Sequence, residues 1–280
     1  MRTLAVLAAL LVTAAGCGPS RSGSLGPVPS GAPRPSSAAP PSPTPTPSAV
    51  PTAQLTIEVW YTRGGTLFPT RRTRPATIAT SRLALTELVA GPTPAEAGAG
   101  LSGAVAPGTT FGIKGITAGV ATVTFPASFY DGGRDLARLR QAQVVYTLTQ
   151  FPTVSKVGFQ SDGEATGWPL GRADYADLLP PIVVLNPVIG QRVASPVAVS
   201  GTADVFEAVV SLRVLDASGA EIAAKFTTAS CGTGCRGDYA TTVPYRSDHD
   251  QPGTVEVYEV SMRDGSRVHV VDVPVTLAGT

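Results

Sequence analysis

Apolar positions fall into four rhythms along this 280-residue chain. Leu4 to Ala15 is a twelve-residue run, apolar except for Thr13. Such a run is too short to span a bilayer and has the length of the central region of an export signal. Residues 18–52 contain no aromatic side chain and only Leu25, Val28 and Val50 as larger aliphatics, so they cannot bury enough surface to offset the entropy of ordering. Between 53 and 177, alternating runs are mixed with helical spacing. From 178 to 280 the alternation continues with scarcely a helical period.

The third region predicts a mixed α/β unit. Leu55, Ile57, Val59 and Tyr61 share one face of a half-buried strand. Thr80 or Ser81 can cap a helix striped by Leu83, Leu85, Leu88 and Val89, which Gly91-Pro92 stops. Gly108 to Phe125 reads as two strands about a turn at Ala118-Gly119. A longer helix follows Asp131–Gly133, with Leu136, Leu139, Ala142, Val145 and Leu148 spaced by threes; Pro152 ends it, and Val154 to Phe159 returns as a strand. The order β-α-β-β-α-β places two helices on one face of a small sheet.

The fourth region predicts seven strands: 182–185, 193–199, 206–215, 222–228, 239–243, 255–261 and 268–277. Asp216–Gly219 and Arg263–Ser266 have the glycine that tight hairpin turns require. The fold class expected is therefore an α+β domain, 53–177, followed by an all-β immunoglobulin-like sandwich, 178–280.

Composition and cysteine placement add a cellular setting. Residues 18–52 hold 11 prolines, and Pro43 to Pro47 favours polyproline II, which rises ~3.1 Å per residue. Ala14-Ala15-Gly16-Cys17 resembles the lipobox of bacterial lipoproteins, in which the cysteine is diacylated and becomes the new N-terminus. That resemblance implies a signal peptide over 1–17, lipidation of Cys17, membrane attachment and an extracytoplasmic module facing the cell wall on a tether of 18–52. The alternative is a cleaved signal with an incidental cysteine. Cys231 and Cys235 are the only later cysteines, and in an exported protein they are most simply a disulfide. A zinc site is the competing use, but His249 and His269 lie elsewhere and no second cysteine pair exists.

Two stretches match known families. Leu85 to Thr93, Ala106-Pro107-Gly108-Thr109, Gly119 to Val123 and Gln150 to Val154 together resemble the GerMN domain of sporulation and spore-germination lipoproteins. Pro187 to Gly190, Val193 to Pro196, Gly201-Thr202-Ala203, Phe206-Glu207-Ala208 and Ser261 to Ser266 resemble Gmad2, the immunoglobulin-like domain that accompanies it. The resemblance implies non-enzymatic modules that bind or assemble, similar in fold to small α/β units that form rings in sporulation complexes.

No residue pattern supplies an active site. The residues three places before Lys114, Lys156 and Lys225 are Phe111, Thr153 and Ile222, so no Ser-x-x-Lys exists, and Gly-x-Ser-x-Gly is absent too. Thr233–Arg236 is weakly similar to the cysteine motif of L,D-transpeptidases but lacks its histidine, and a disulfide offers no thiolate. Asp248/Asp250 and Glu256/Glu259 would need burial to act in acid–base chemistry. Calcium at Ser247–Asp250 would need further acidic ligands, so no metal and no cofactor is expected. A net charge of +1 argues against a dedicated nucleic-acid binder, so no nucleic-acid partner is expected. Residues 53–175 carry 11 cations against 8 anions, and Arg63, Arg71, Arg72 and Arg74 gather after the first strand as a candidate polyanion surface. The expected partner is an envelope protein or a second copy of the chain; the alternative is peptidoglycan or an anionic glycopolymer.

Overall fold

A computed structural model describes residues 53–280. Its first strands, β1 (Gln54–Arg63) and β2 (Thr66–Pro75), form a hairpin paired over its whole length. Gly64 and Gly65 both take positive φ at the turn, a conformation that favours glycine. β2 is not among the strands that the sequence pattern predicts. Its Thr-Arg-Arg-Thr-Arg run has no apolar alternation, and only Gly64-Gly65 announced the turn.

Helices α1 (Thr80–Ala90) and α2 (Pro94–Gly98) follow. Ser81, Ala84, Leu85, Leu88 and Val89 of α1 are buried. Neither Thr80 nor Ser81 is the cap: Ala79 occupies that place with no side-chain hydrogen bond. Next come β3 (Gly112–Thr117), β4 (Val120–Thr124), α3 (Arg134–Leu148), β5 (Lys156–Ser161) and β6 (Glu164–Ala165). They form a second sheet ordered β3-β4-β5-β6, with β4 and β5 parallel across the α3 crossover.

The expected stripe on α3 is only half right, because every residue from Ala142 to Leu148 is buried. The reason lies in the β1 edge, which pairs with α3 side chains rather than with another strand. Gln150 accepts from the Glu58 amide and donates to the Glu58 carbonyl, both at 2.7 Å. Thr147 accepts from the Trp60 amide at 3.1 Å, and Gln143 donates to the Trp60 carbonyl at 2.9 Å. An open strand edge is thus satisfied without a partner strand. Gln143 also accepts from the amides of Ala104 and Val105, which accounts for a fully buried glutamine.

A 3₁₀ segment, Arg172–Leu178, leads into the second half. There β7 (Ile182–Asn186), β8 (Arg192–Val193), β9 (Val197–Ala203), β10 (Val209–Leu215), β11 (Glu221–Thr228), β12 (Gly237–Val243), β13 (Gln251–Val260) and β14 (Arg267–Leu277) make two sheets. Their orders are β11-β10-β13-β14-β8 and β12-β9-β7. The inward set includes Val197, Val199, Val210, Leu212, Val214, Val255, Val257, Val273 and Val275, all buried. Each such side chain contributes about 1.5–3 kcal/mol on removal from water. The run expected as one strand from Val193 to Val199 is broken at Pro196 into β8 and β9, and the stretch at Phe206–Ala208 is a 3₁₀ turn ahead of β10. Gly201 sits where a side chain would strike the Val183 carbonyl and the Tyr239 ring, so only glycine fits. The Tyr239 hydroxyl donates to that carbonyl at 3.1 Å.

The described residues belong to one compact unit, and one buried cluster extends from Ile57 to Leu277. Arg63 Nη1 reaches the Asp272 carbonyl at 2.8 Å, and Arg71 Nη1 reaches Asn186 Oδ1 at 3.3 Å, linking the hairpin to the sandwich. No helix among the described residues is long and apolar enough to cross a membrane.

Candidate interaction surface

The four arginines proposed for polyanion binding do not share a face. Arg72 is only 8% exposed and grips Glu96 with two bonds, Nη1–Oε1 at 2.7 Å and Nη2–Oε2 at 2.6 Å. Burial by itself would raise the Glu96 carboxyl. The Arg72 fork, the Thr70 hydroxyl and the Thr93 amide outweigh it and hold that carboxyl below its ordinary value. Glu96 also completes a capping box with Thr93 on α2. Arg74 forms a fork to Glu87 at 2.7 and 2.8 Å. Nearby, Tyr61 donates to the Glu87 carbonyl, and burial pushes its phenol up to about 12. Arg63 and Arg71 point instead to Asp272 and Asn186 of the sandwich. Strand alternation is the cause: Arg71, Arg72 and Arg74 lie in β2, where neighbours face opposite ways.

Three of the four carboxylates singled out by sequence, Asp250, Glu256 and Glu259, are engaged as well. Asp250 receives a two-bond fork from Arg192 and the Gly279 amide, and these partners take its carboxyl down to about 2. Glu256 is buried against Arg213 at 2.6 Å. Glu259 bonds His269 Nδ1 at 2.8 Å and accepts from the Phe206 amide at 3.0 Å. No group of three or more metal-ligating side chains occurs among the described residues. Cys17, the signal segment and the tether lie outside those residues.

Cys231 and Cys235 are bonded through their sulfurs, with Cα atoms 5.7 Å apart. The loop they close holds a neighbouring turn. Thr233 Oγ1 accepts from the Glu207 amide at 3.0 Å, the Thr233 amide donates to the Val205 carbonyl, and the Gly234 amide donates to Asp204. Glu207 and Ala208 take left-handed φ values of 52° and 59° in that turn. The bracing holds Phe206 outward at 46% exposure.

Phe206 is one wall of a hollow of about 310 Å³ on the outer face of the five-stranded sheet. Val209, Phe226, Val260 and Met262 complete it, exposed by 36%, 70%, 42% and 73%. Register explains the grouping, since Ser211 of β10 pairs with Phe226 of β11 and with Tyr258 of β13. Glu207 and Glu259 supply acidic groups at the rim. A contiguous apolar exposure of this kind marks an interaction site more often than chance. Sequence reasoning missed it, because Phe226 between Lys225 and Thr227 reads as an inward residue and only its register opposite Ser211, after a bulge at Val214/Leu215, turns it outward.

Residues 59–167 match the profile of a family described as sporulation and spore germination. Residues 181–266 match Gmad2, the immunoglobulin-like domain of bacterial spore germination. Among solved structures, the tandem GerMN domains of the sporulation protein GerM from Bacillus subtilis are similar at 16% identity, with a TM-score of 0.38. That match covers 81% of this chain and 61% of the tandem structure, so the chain spans about three fifths of its length. The first GerMN domain of the same protein is similar at 22% identity over 42% of this chain and 95% of that one, with a TM-score of 0.35. A putative lipoprotein from Clostridium perfringens is similar at 11% identity over 48% of this chain and 98% of that one, TM-score 0.30. No curated protein sequence matches the chain.

Proposed function

We propose that this chain, a GerMN-type domain followed by a Gmad2 immunoglobulin-like domain, is a lipid-anchored extracytoplasmic protein that docks on an envelope protein and carries out no catalysis. The observation that carries the reading is the cluster of five exposed apolar side chains around the hollow at Phe226. Large apolar groups held rigidly in water cost free energy until a partner covers them. The apolar run before Cys17 and the proline-rich segment after it support an anchor and a spacer in front of the folded part. A second copy of the chain is the simplest partner to test.

A photocrosslinker placed at Phe226 in intact cells should trap a discrete species that the same probe at Ser218 does not. Met262→Ser should lower the yield. Identical products from both positions would refute docking at this face. Sedimentation of the full chain distinguishes self-association from a different partner. Separately, Cys17→Ser should move the protein out of the membrane fraction, and retention there would exclude the lipid anchor.

A further inference from the structure

A second concave site lies between the two domains and is chemically unlike the first. Trp60 of β1, Tyr146 of α3 and Arg172 form one wall, and Leu179, Val183, Leu185, Thr202 and Arg236 form the other, around a cavity of about 280 Å³. Arg172 lies over both rings, 4.9 Å from the Tyr146 centroid and 5.7 Å from that of Trp60. Thr149 Oγ1 and the Tyr146 carbonyl take its Nε and Nη2 at 2.8 and 3.1 Å. Its nearest carboxylate, Glu58, stands at 4.0 Å.

Arg236 is the more telling of the two. It is half-buried, and its hydrogen bonds go to neutral oxygens: the Pro180 carbonyl at 2.7 Å, then Pro181 and Thr202 at longer distances. Among the described residues it has no ion-paired carboxylate, and burial moves its guanidinium below the ordinary arginine value, with Asp204 acting only at longer range. Arg72 and Arg213 each grip a glutamate, whereas Arg140, half-buried like Arg236, is held by backbone carbonyls and faces no aromatic hollow of this kind. A guanidinium kept away from water without a counter-ion beside an aromatic, apolar hollow is arranged for an anion from outside.

We propose that the cleft between the domains binds a small organic carboxylate, its charged end meeting Arg172 and Arg236 and its apolar body resting against Leu179, Val183 and Leu185. The planar guanidinium edge suits a planar carboxylate, and the volume limits the ligand to roughly ten heavy atoms, near the lower bound for ligand cavities. Because both domains contribute walls, occupancy also ties them together.

The chain has two tryptophans, Trp60 in the cleft and Trp168, which is 89% exposed. In the full chain carrying Trp168→Phe, emission therefore reports Trp60 alone. Titration with cyclohexanecarboxylate should give a saturable change with a midpoint of about 10 mM or tighter, the value expected for a ligand of that size. Cyclohexanol should give none. Arg236→Met, which keeps the aliphatic stem, should weaken the midpoint by about tenfold or more. Arg172→Met, at a more exposed position, should do the same and serves if the first variant fails to fold. Equal response to cyclohexanol, no saturable change, or undiminished binding in a folded variant would overturn the proposal. Tighter binding of cyclohexyl phosphate would overturn the choice of a carboxylate.

Discussion

The two halves of the molecule differ in what they bury and in where exposed apolar side chains cluster. In the first, charge and amide groups go inside: Arg72, Glu96, Gln143 and Thr147 are all buried. In the second, the interior is mainly aliphatic, with Tyr239, Tyr245 and Glu256 also buried, and large apolar side chains cluster outside at Phe206, Phe226 and Met262. The contrast follows from sheet economy. The hairpin of the first half is a two-stranded sheet separate from β3-β4-β5-β6, so side chains must complete both the β1 edge and the face of β2. The second half closes its backbone within two sheets, which leaves an outer face open to another molecule. Arg72 and Arg74 of the first half are thus tied to glutamates, while the clustered exposed apolar surface lies in the second.

The sharpest way to break this comparison is to unpair Arg72. Glu96→Ala should cost about 3 kcal/mol in urea unfolding, because the buried Arg72 then keeps only Glu87, 3.7 Å from its Nε and already engaged by Arg74. A loss below about 1 kcal/mol would mean that Arg72 reaches water and that the first half has no ionic interior. The same pair sets an acid limit. The folded Glu96 carboxyl titrates below its ordinary value, so its stabilisation is complete above about pH 4.5 and is lost as pH falls through the folded value. The gap in melting temperature between the parent and Glu96→Gln should accordingly close on acidification from pH 6 to pH 3.

In the second half, Cys231→Ser with Cys235→Ser should cost about 2 kcal/mol, the loop-closure entropy of so short a loop. If the loop braces the turn at Phe206, exchange of the Glu207 amide should also accelerate, and unchanged protection would separate the disulfide from the exposed apolar face. A smaller effect of opposite sign is expected at Asp272. Burial raises its carboxyl, the Glu256 charge raises it further, and Oδ1 has no hydrogen-bond partner. Its penalty appears as pH rises above the unfolded value, so Asp272→Asn should stabilise by up to about 1 kcal/mol at pH 7 and by nothing at pH 3. The smallest change should come from Phe226→Ser with Met262→Ser, within about 0.5 kcal/mol of the parent because both side chains are already in water. A large loss there would show that the apolar face supports the fold.

Much of this architecture was legible in the chain. The alternation of Leu55 to Tyr61, the stops at Gly91-Pro92 and Pro152, and the evenly spaced short strands after 178 report local backbone preferences, and they led to the correct fold class. The motif around Gly201 stood out because a backbone carbonyl and a tyrosine leave no room for a side chain there. Strand β2 was not legible, since Thr70 to Arg74 carries no apolar rhythm and its burial depends on Glu87 and Glu96 arriving from helices. The candidate surface was half legible: the Phe206-Glu207-Ala208 motif was visible, but its convergence with Phe226 and Met262 was not.

By itself, then, the sequence determined the two domain types, their order and the pairing chemistry open to Cys231 and Cys235, because those depend on local periodicity, turn residues and short spacings. Tertiary structure alone decided which arginines meet carboxylates, which apolar residues stay outside, and that Arg236 faces a cleft with no counter-ion. Those outcomes depend on strand register and on contacts across tens to hundreds of residues, such as Arg63 with Asp272, which no local pattern encodes.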